Sequence, residues 1–323
     1  MLVRGQLEDL EGWSFPVHVS LGGVARGRSI ADQAERMVGW LKTVAGEFAI
    51  PDLYVVDRDD WDAVASFPVY GMPHEAPDRI VVGQEPAEFW DVLLDSIDAF
   101  LSRPDRAELV RVYGDPVTLS SFTDLLVSHE IGHYLHPVGE EADPTSFWLR
   151  EMLANLALQG YVSDIEPDLE ETLLTVVQIC WRSTGSSWPF TELTDMGRAT
   201  DGDSANYVWF EFGLQVLTKR LWTNAGFTAL RCLIDLLHGP APTHDEAIAA
   251  VEALDPSVAA DLRRWPRFAG GTTSAATVTG LAAVVDPCAQ PRRQPCSRRL
   301  RPQEGLNACP TVSTAAPASS RNS

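Results

Sequence analysis

The sequence predicts an α+β protein in which a small mixed sheet portion is followed by a mainly helical lobe. Three observations carry this. Short apolar or alternating runs bounded by turn residues all fall before Gln84, a central helix places two histidines on its apolar stripe, and after that helix nearly every apolar run follows helical spacing. The expected boundaries are 1–118 for the sheet-containing portion, 119–270 for the helical portion and 271–323 for a tail. With 45% hydrophobic and 22% charged residues, the 323-residue chain can bury one or two cores.

Trp13 to Ser20 alternates as a strand, and Ser29 to Phe48 has helical periodicity with Ser29 as its expected cap. Asp52 to Val56 is a short buried-type strand, and Asp57 to Ala65 a helix with acidic residues near its start. Tyr70 to Glu75 is rich in turn formers. The pair His74-Glu75 invites reading as a second metal site or an anchor for an amine, but no second histidine follows at helical spacing, so a loop role is expected. Ile80-Val81-Val82-Gly83 is a short apolar run. Ala87 to Leu101 is strongly amphipathic and reads as core helix, and Tyr113 to Pro116 is a turn that delivers the chain to the next helix.

That next helix, Phe122 to Leu135, contains His129-Glu130-Ile131-Gly132-His133. Residues four apart lie one above the other on a helix, so both imidazoles can reach one ion at roughly 2.0–2.1 Å. Glu130 is offset by about 100° and can face a water held there. The competing reading is a buried helix whose histidines make ordinary hydrogen bonds. A catalytic zinc site needs a third protein ligand. His136 lies about 10 Å from His129 along the axis, too far to share the ion, and the position ten residues after His129 is Gly139. The helix of Ser146 to Tyr161 offers a better donor. Its stripe Phe147, Glu151, Ala154, Leu158, Tyr161 has one carboxylate in an apolar face, which is costly to bury unless paired or metal-bound. Asn155, on the same side, can orient a ligating histidine through its other ring nitrogen.

The His129-Glu130-x-x-His133 helix, the 17 intervening residues and the second helix with Trp148-Leu149-Arg150-Glu151-x-x-Ala154-Asn155 resemble the gluzincins, the thermolysin-like and aminopeptidase-like zinc peptidases. The resemblance implies a zincin-like fold, one Zn²⁺ per chain held by His129, His133 and Glu151, and Asn155 behind a ligand. Arg150 stands where an Asn is frequent, and Asn155 where an acid is frequent. It further implies peptide or protein substrates, cleaved by a water whose proton Glu130 accepts and passes to the leaving amine. In such enzymes a tyrosine several tens of residues after the glutamate ligand stabilises the oxyanion, which points to Tyr207; a core tyrosine would show the same stripe. Family members also use a sheet edge to receive the substrate backbone, and Ile80, Val81, Val82 and Gly83 are the candidate strand. Periodicity alone fits a buried inner strand equally well. A binding or scaffold protein that keeps this fold without turnover is the alternative, and hydrolysis of a non-peptide amide a third.

Leu169 to Arg182, Asp203 to Trp222 (capped by Asp203 or Ser204), Phe227 to Leu237, His244 to Leu254 and Pro256 to Trp265 read as helices. His238 and His244 fit no metal spacing. The net charge is −20; the chain after Gly270 holds six arginines against Asp286 and Glu304, leaving 19 basic and 43 acidic residues before it. Such an acidic body argues against nucleic acid as partner. No apolar run approaches the roughly 20 residues of a membrane span, and Met1 to Phe15 lacks a signal-like apolar core, so a cytoplasmic location is expected. The tail composition of Thr, Ala, Ser, Pro and Arg predicts disorder, and its three cysteines have no metal or disulfide framework spacing.

Overall fold

A computed structural model describes residues 7–136, 144–183, 188–200 and 204–267. The expected tail and the Asp203 cap lie outside the described residues.

The chain opens with β1 (Glu8–Leu10) and β2 (Val17–Val19), then α1 (Val24–Ala45), β3 (Asp52–Val56) and α2 (Arg58–Val64). The expected cap Ser29 instead lies inside α1, which starts earlier. Gly27 and Ile30 already pack inward, and a Cβ at Gly27 would come within 2.4 Å of Val19, so only glycine lets the first turn cross the sheet this closely. The acidic start expected for α2 is realised as an N-cap, Asp57 accepting from the backbone N–H groups of Asp59 and Asp60. Next come β4 (His74–Ala76) and β5 (Arg79–Gly83), then α3 (Glu88–Asp98) and α4 (Arg103–Tyr113), which starts on a capping box between Ser102 and Asp105.

The sheet order is β1-β2-β3-β5-β4. β2, β3 and β5 run parallel, with antiparallel β1 and β4 on the two edges. This corrects two expectations. Ile80 to Gly83 is not the edge strand: β5 pairs on both sides, and Ile80, Val81 and Val82 are all buried, the usual setting for a continuous apolar run in a parallel sheet. The edge belongs to β4, so His74-Glu75 is strand rather than loop.

The helical lobe begins with α5 (Ser120–Gly132), which tightens into a 3₁₀ turn over His133–Leu135, and α6 (Phe147–Ile165). α7 (Glu170–Ser183) and the short α8 (Met196–Ala199) follow. α9 (Ser204–Leu237) breaks at Gly226, where φ is 49°, and so contains both helices expected on either side of that residue. α10 (His244–Leu254) and α11 (Pro256–Arg263) close the described chain.

One apolar core runs from β2, β3 and β5 through α1 into α5, α6 and α9. Polar ties fix where α5 lies on it. Arg26 of α1 donates both to the Asp124 carboxylate, at 2.6 and 3.3 Å, and to the Gly83 carbonyl at 2.9 Å, joining the end of β5 to α5. Gln33 adds bonds to the Asp124 carbonyl and the Ser128 hydroxyl. No helix among the described residues is long and apolar enough to cross a membrane.

The last helix yields a test of the local energetics. Asp255 caps α11 by accepting from the N–H groups of Ser257 and Val258, and also takes a bond from Asn224. Burial opposes its ionisation, but these donors outweigh it and lower its pKa from 3.8 to about 2. A depressed carboxylate contributes stability that is complete above its unfolded pKa and lost as pH falls through its folded one. Asp255→Ala is therefore expected to cost about 1–2 kcal/mol in urea unfolding near neutral pH, with the gap to wild type narrowing as pH falls from 3.8 towards about 2.

Candidate metal centre

The site lies where α5 and α6 touch. Gly132 makes the approach possible: a Cβ there would sit 2.9 Å from the Ala154 Cα and 3.1 Å from its carbonyl oxygen. With the backbones this close, side chains one turn away on each helix meet head on.

His129 Nε2 and His133 Nε2 are 3.1 Å apart, and Glu151 Oε2 lies 3.4 and 3.3 Å from them. Donors bound tetrahedrally at about 2.0–2.2 Å lie about 3.3–3.6 Å from one another. The three atoms thus form one face of a tetrahedron of zinc-like size. All three side chains are buried, and Glu151 Oε2 has no hydrogen-bond partner. An ionised oxygen left this way in the core is expensive, and a cation at the centre of the triangle removes the penalty. The residues fit the ion.

Electrostatics point the same way. Burial opposes a charged Glu151, yet His133 and His129 hold its carboxyl well below the usual range. Burial likewise opposes a charged His133, but Glu151 outweighs it and pushes the pKa up to about 10. His129 is lowered, mainly by burial. Glu151 and His133 thus favour each other's charged forms.

Asn155 lies behind His129, its Oδ1 3.1 Å from Nδ1. His136, rejected as a ligand by its axial distance, accepts from Arg150 Nε at 3.3 Å.

A cavity of about 360 Å³ opens on the triad. Glu130 lines it, and its pKa is well above the ordinary value because of burial. Tyr207 also lines it, its hydroxyl beside the Glu151 and Glu211 carboxylates. Burial, then the neighbouring acids, raise the Tyr207 pKa, so the phenol stays a donor. Of the sequence-derived candidates, His129, Glu130, His133, Glu151, Asn155 and Tyr207 come together; Ile80 to Gly83 do not line this cavity. Its wall away from the triad is apolar and includes Trp90, Phe122, Leu173 and Phe212.

Two residues at the site are not placed there from the sequence: Glu75, weighed with His74, is assigned to a loop, and Glu211 is not singled out. Glu75 of the edge strand brings a carboxylate oxygen into a group with Glu130 and His133 whose ligand atoms all lie within 4.8 Å of one another. No periodicity marks it, because a three-residue strand is too short to show one. Glu211 lies one turn after Tyr207 and accepts from Asn155 Nδ2 at 2.8 Å. It had a signal: it is the one charged residue between Ser204 and Thr218, the same anomaly that singled out Glu151.

Compared with protein-family models, curated proteins and solved structures, the chain matches none.

The close approach at Gly132 can be tested directly. Gly132→Ala should force α5 and α6 apart by a few tenths of an ångström, lowering stability by about 1–3 kcal/mol. It should also weaken zinc retention in chelator competition. Wild-type retention in a folded variant would show that the helix spacing does not set the donor triangle.

Proposed function

We propose that this chain is a zinc-dependent peptidase of gluzincin type with a zincin-like fold. One observation carries the reading: three buried donor atoms converge at tetrahedral spacing, one of them a carboxylate oxygen without a partner, on a cavity that Glu130 and Tyr207 also line. When bound, zinc supplies a Lewis acid and lowers the pKa of water from 15.7 to roughly 7.

The chain's own residues supply the rest. Glu130 follows His129 directly and faces the cavity, where its carboxylate takes the proton of the attacking water and returns it to the departing amine. The Tyr207 phenol donates to the oxygen on which charge develops as the carbonyl is attacked. The substrate backbone enters along β4, the sheet edge on the site side, with Tyr134 holding the strand through the Ala76 carbonyl at 2.5 Å. Glu75 gives that end of the cleft a carboxylate suited to a cationic group, and the apolar wall gives the other end a place for a bulky side chain.

A mixed peptide pool tests the reading. Wild type should cleave, and Glu130→Gln should lose at least about 10²-fold in rate, the scale of general-base catalysis, while keeping its zinc. Equal cleavage by both proteins would remove Glu130 from the mechanism, and no cleavage by a zinc-loaded wild type would favour a binding or scaffold protein. Glu75→Gln reads the cation-binding end. It should slow cleavage of a peptide with a free amino terminus about tenfold, the worth of one charged hydrogen bond, and spare the acetylated peptide. Equal slowing of both would show that Glu75 acts on the site rather than on the amine.

A further inference from the structure

We propose that Glu211 is a positioning residue for His129, acting through the Asn155 side chain. The inference rests on the reading of His129 as a metal ligand, but its first readout needs no metal.

Asn155 bridges the two groups, with Oδ1 3.1 Å from His129 Nδ1 and Nδ2 donating to Glu211 Oε2 at 2.8 Å. An amide has two unlike ends, one that only donates and one that only accepts. Glu211 Oε2 accepts from the NH₂ end of Asn155, which holds that end towards α9 and leaves the carbonyl towards His129. A carbonyl cannot donate, so Nδ1 of His129 carries the ring proton and Nε2 keeps its lone pair. That lone pair faces His133 Nε2 and Glu151 Oε2. The same assignment makes His129 the acceptor of its 3.1 Å contact with His133.

Without an acceptor at position 211, nothing distinguishes the two amide orientations. A flipped Asn155 would offer NH₂ to Nδ1 and favour the tautomer with a proton on Nε2, aimed into the donor triangle. An acid next to a ligating histidine fixes its tautomer directly. In this chain the acid stands one residue further out, with a neutral amide between.

The packing keeps this relay in register. On α6 and α9 polar residues recur one turn apart, Asn155 and Gln159 facing Glu211 and Gln215. Gln215 donates to Gln159 at 3.0 Å, and Gln159 in turn to Glu170 at 3.1 Å, which Lys219 also pairs. Such a ladder resists sliding of one helix along the other, because any shift leaves buried polar groups unpaired.

The experiment compares wild type, Glu211→Gln and Glu211→Leu. The ¹⁵N shifts of the His129 ring report its tautomer in metal-free protein, and chelator competition reports zinc affinity. Gln keeps an acceptor oxygen in nearly the same volume; Leu removes it. The Nδ1–H form should persist in wild type and Glu211→Gln and give way to a tautomer mixture in Glu211→Leu. Zinc affinity should fall about 10- to 100-fold for Leu and less than about threefold for Gln, in line with partners of metal-ligating histidines. If the Leu variant does not fold, Glu211→Met, closer in shape, carries the same test. A folded Leu or Met variant with an unchanged ring tautomer would overturn the proposal, as would equal losses for Gln and Leu. If wild type binds no zinc, the metal reading fails, and the tautomer still decides the role of Glu211.

Discussion

A carboxylate oxygen buried between two imidazoles is the constraint on which the site depends. Glu151 Oε2 has a histidine nitrogen on either side and no hydrogen bond of its own. Leaving such a group unmet costs on the order of 1–3 kcal/mol, more when it is charged. A divalent ion in the same place satisfies three donors at once. The arrangement is therefore costly as a structural motif and favourable as a binding site.

The fold supports this concentration of donors by making α5 and α6 nearly touch. Gly132 removes the side chain that would separate them, and Ala154 and Ala157 present the small surface opposite. Arg26 and Gln33 tie α5 to the sheet and to α1, while α9 packs along α6 and brings Tyr207 and Glu211 to the cavity. The sheet contributes its edge: β4 faces α5 and carries Glu75 to the carboxylate of Glu130.

Much of the site was legible in the sequence because helical spacing is a reliable ruler. His129 and His133 are one turn apart, and Glu151 stands out as a charge in an apolar stripe, so three donors can be named before any coordinates. The longer helices from Leu169 to Trp265 were readable for the same reason, the four-residue α8 was not, and Asp52 to Val56 was placed as a strand. Sheet order was not readable. A run such as Ile80 to Val82 records burial on both faces, but nothing local says which neighbours pair with it, and the edge passed to a three-residue strand inside a turn-rich segment. The start of α1 was missed because its first turn is glycine-rich and seats on Val19, a tertiary contact that overrides the capping preference of Ser29. Asn155 could be read as neutral support for His129, yet the acid behind it belongs to a helix more than fifty residues on, and only packing brings the two together.

The most direct test of the account is the metal content and ligand environment of the purified protein after exposure to zinc. Elemental analysis should give about one zinc per chain, and X-ray absorption should show two imidazoles and a carboxylate at about 2.0–2.2 Å. The metal should be lost, or held much more weakly, in Glu151→Ala. A wild-type protein that stays metal-free, or that keeps its zinc undiminished in Glu151→Ala, would contradict the assignment of His129, His133 and Glu151 as one metal site.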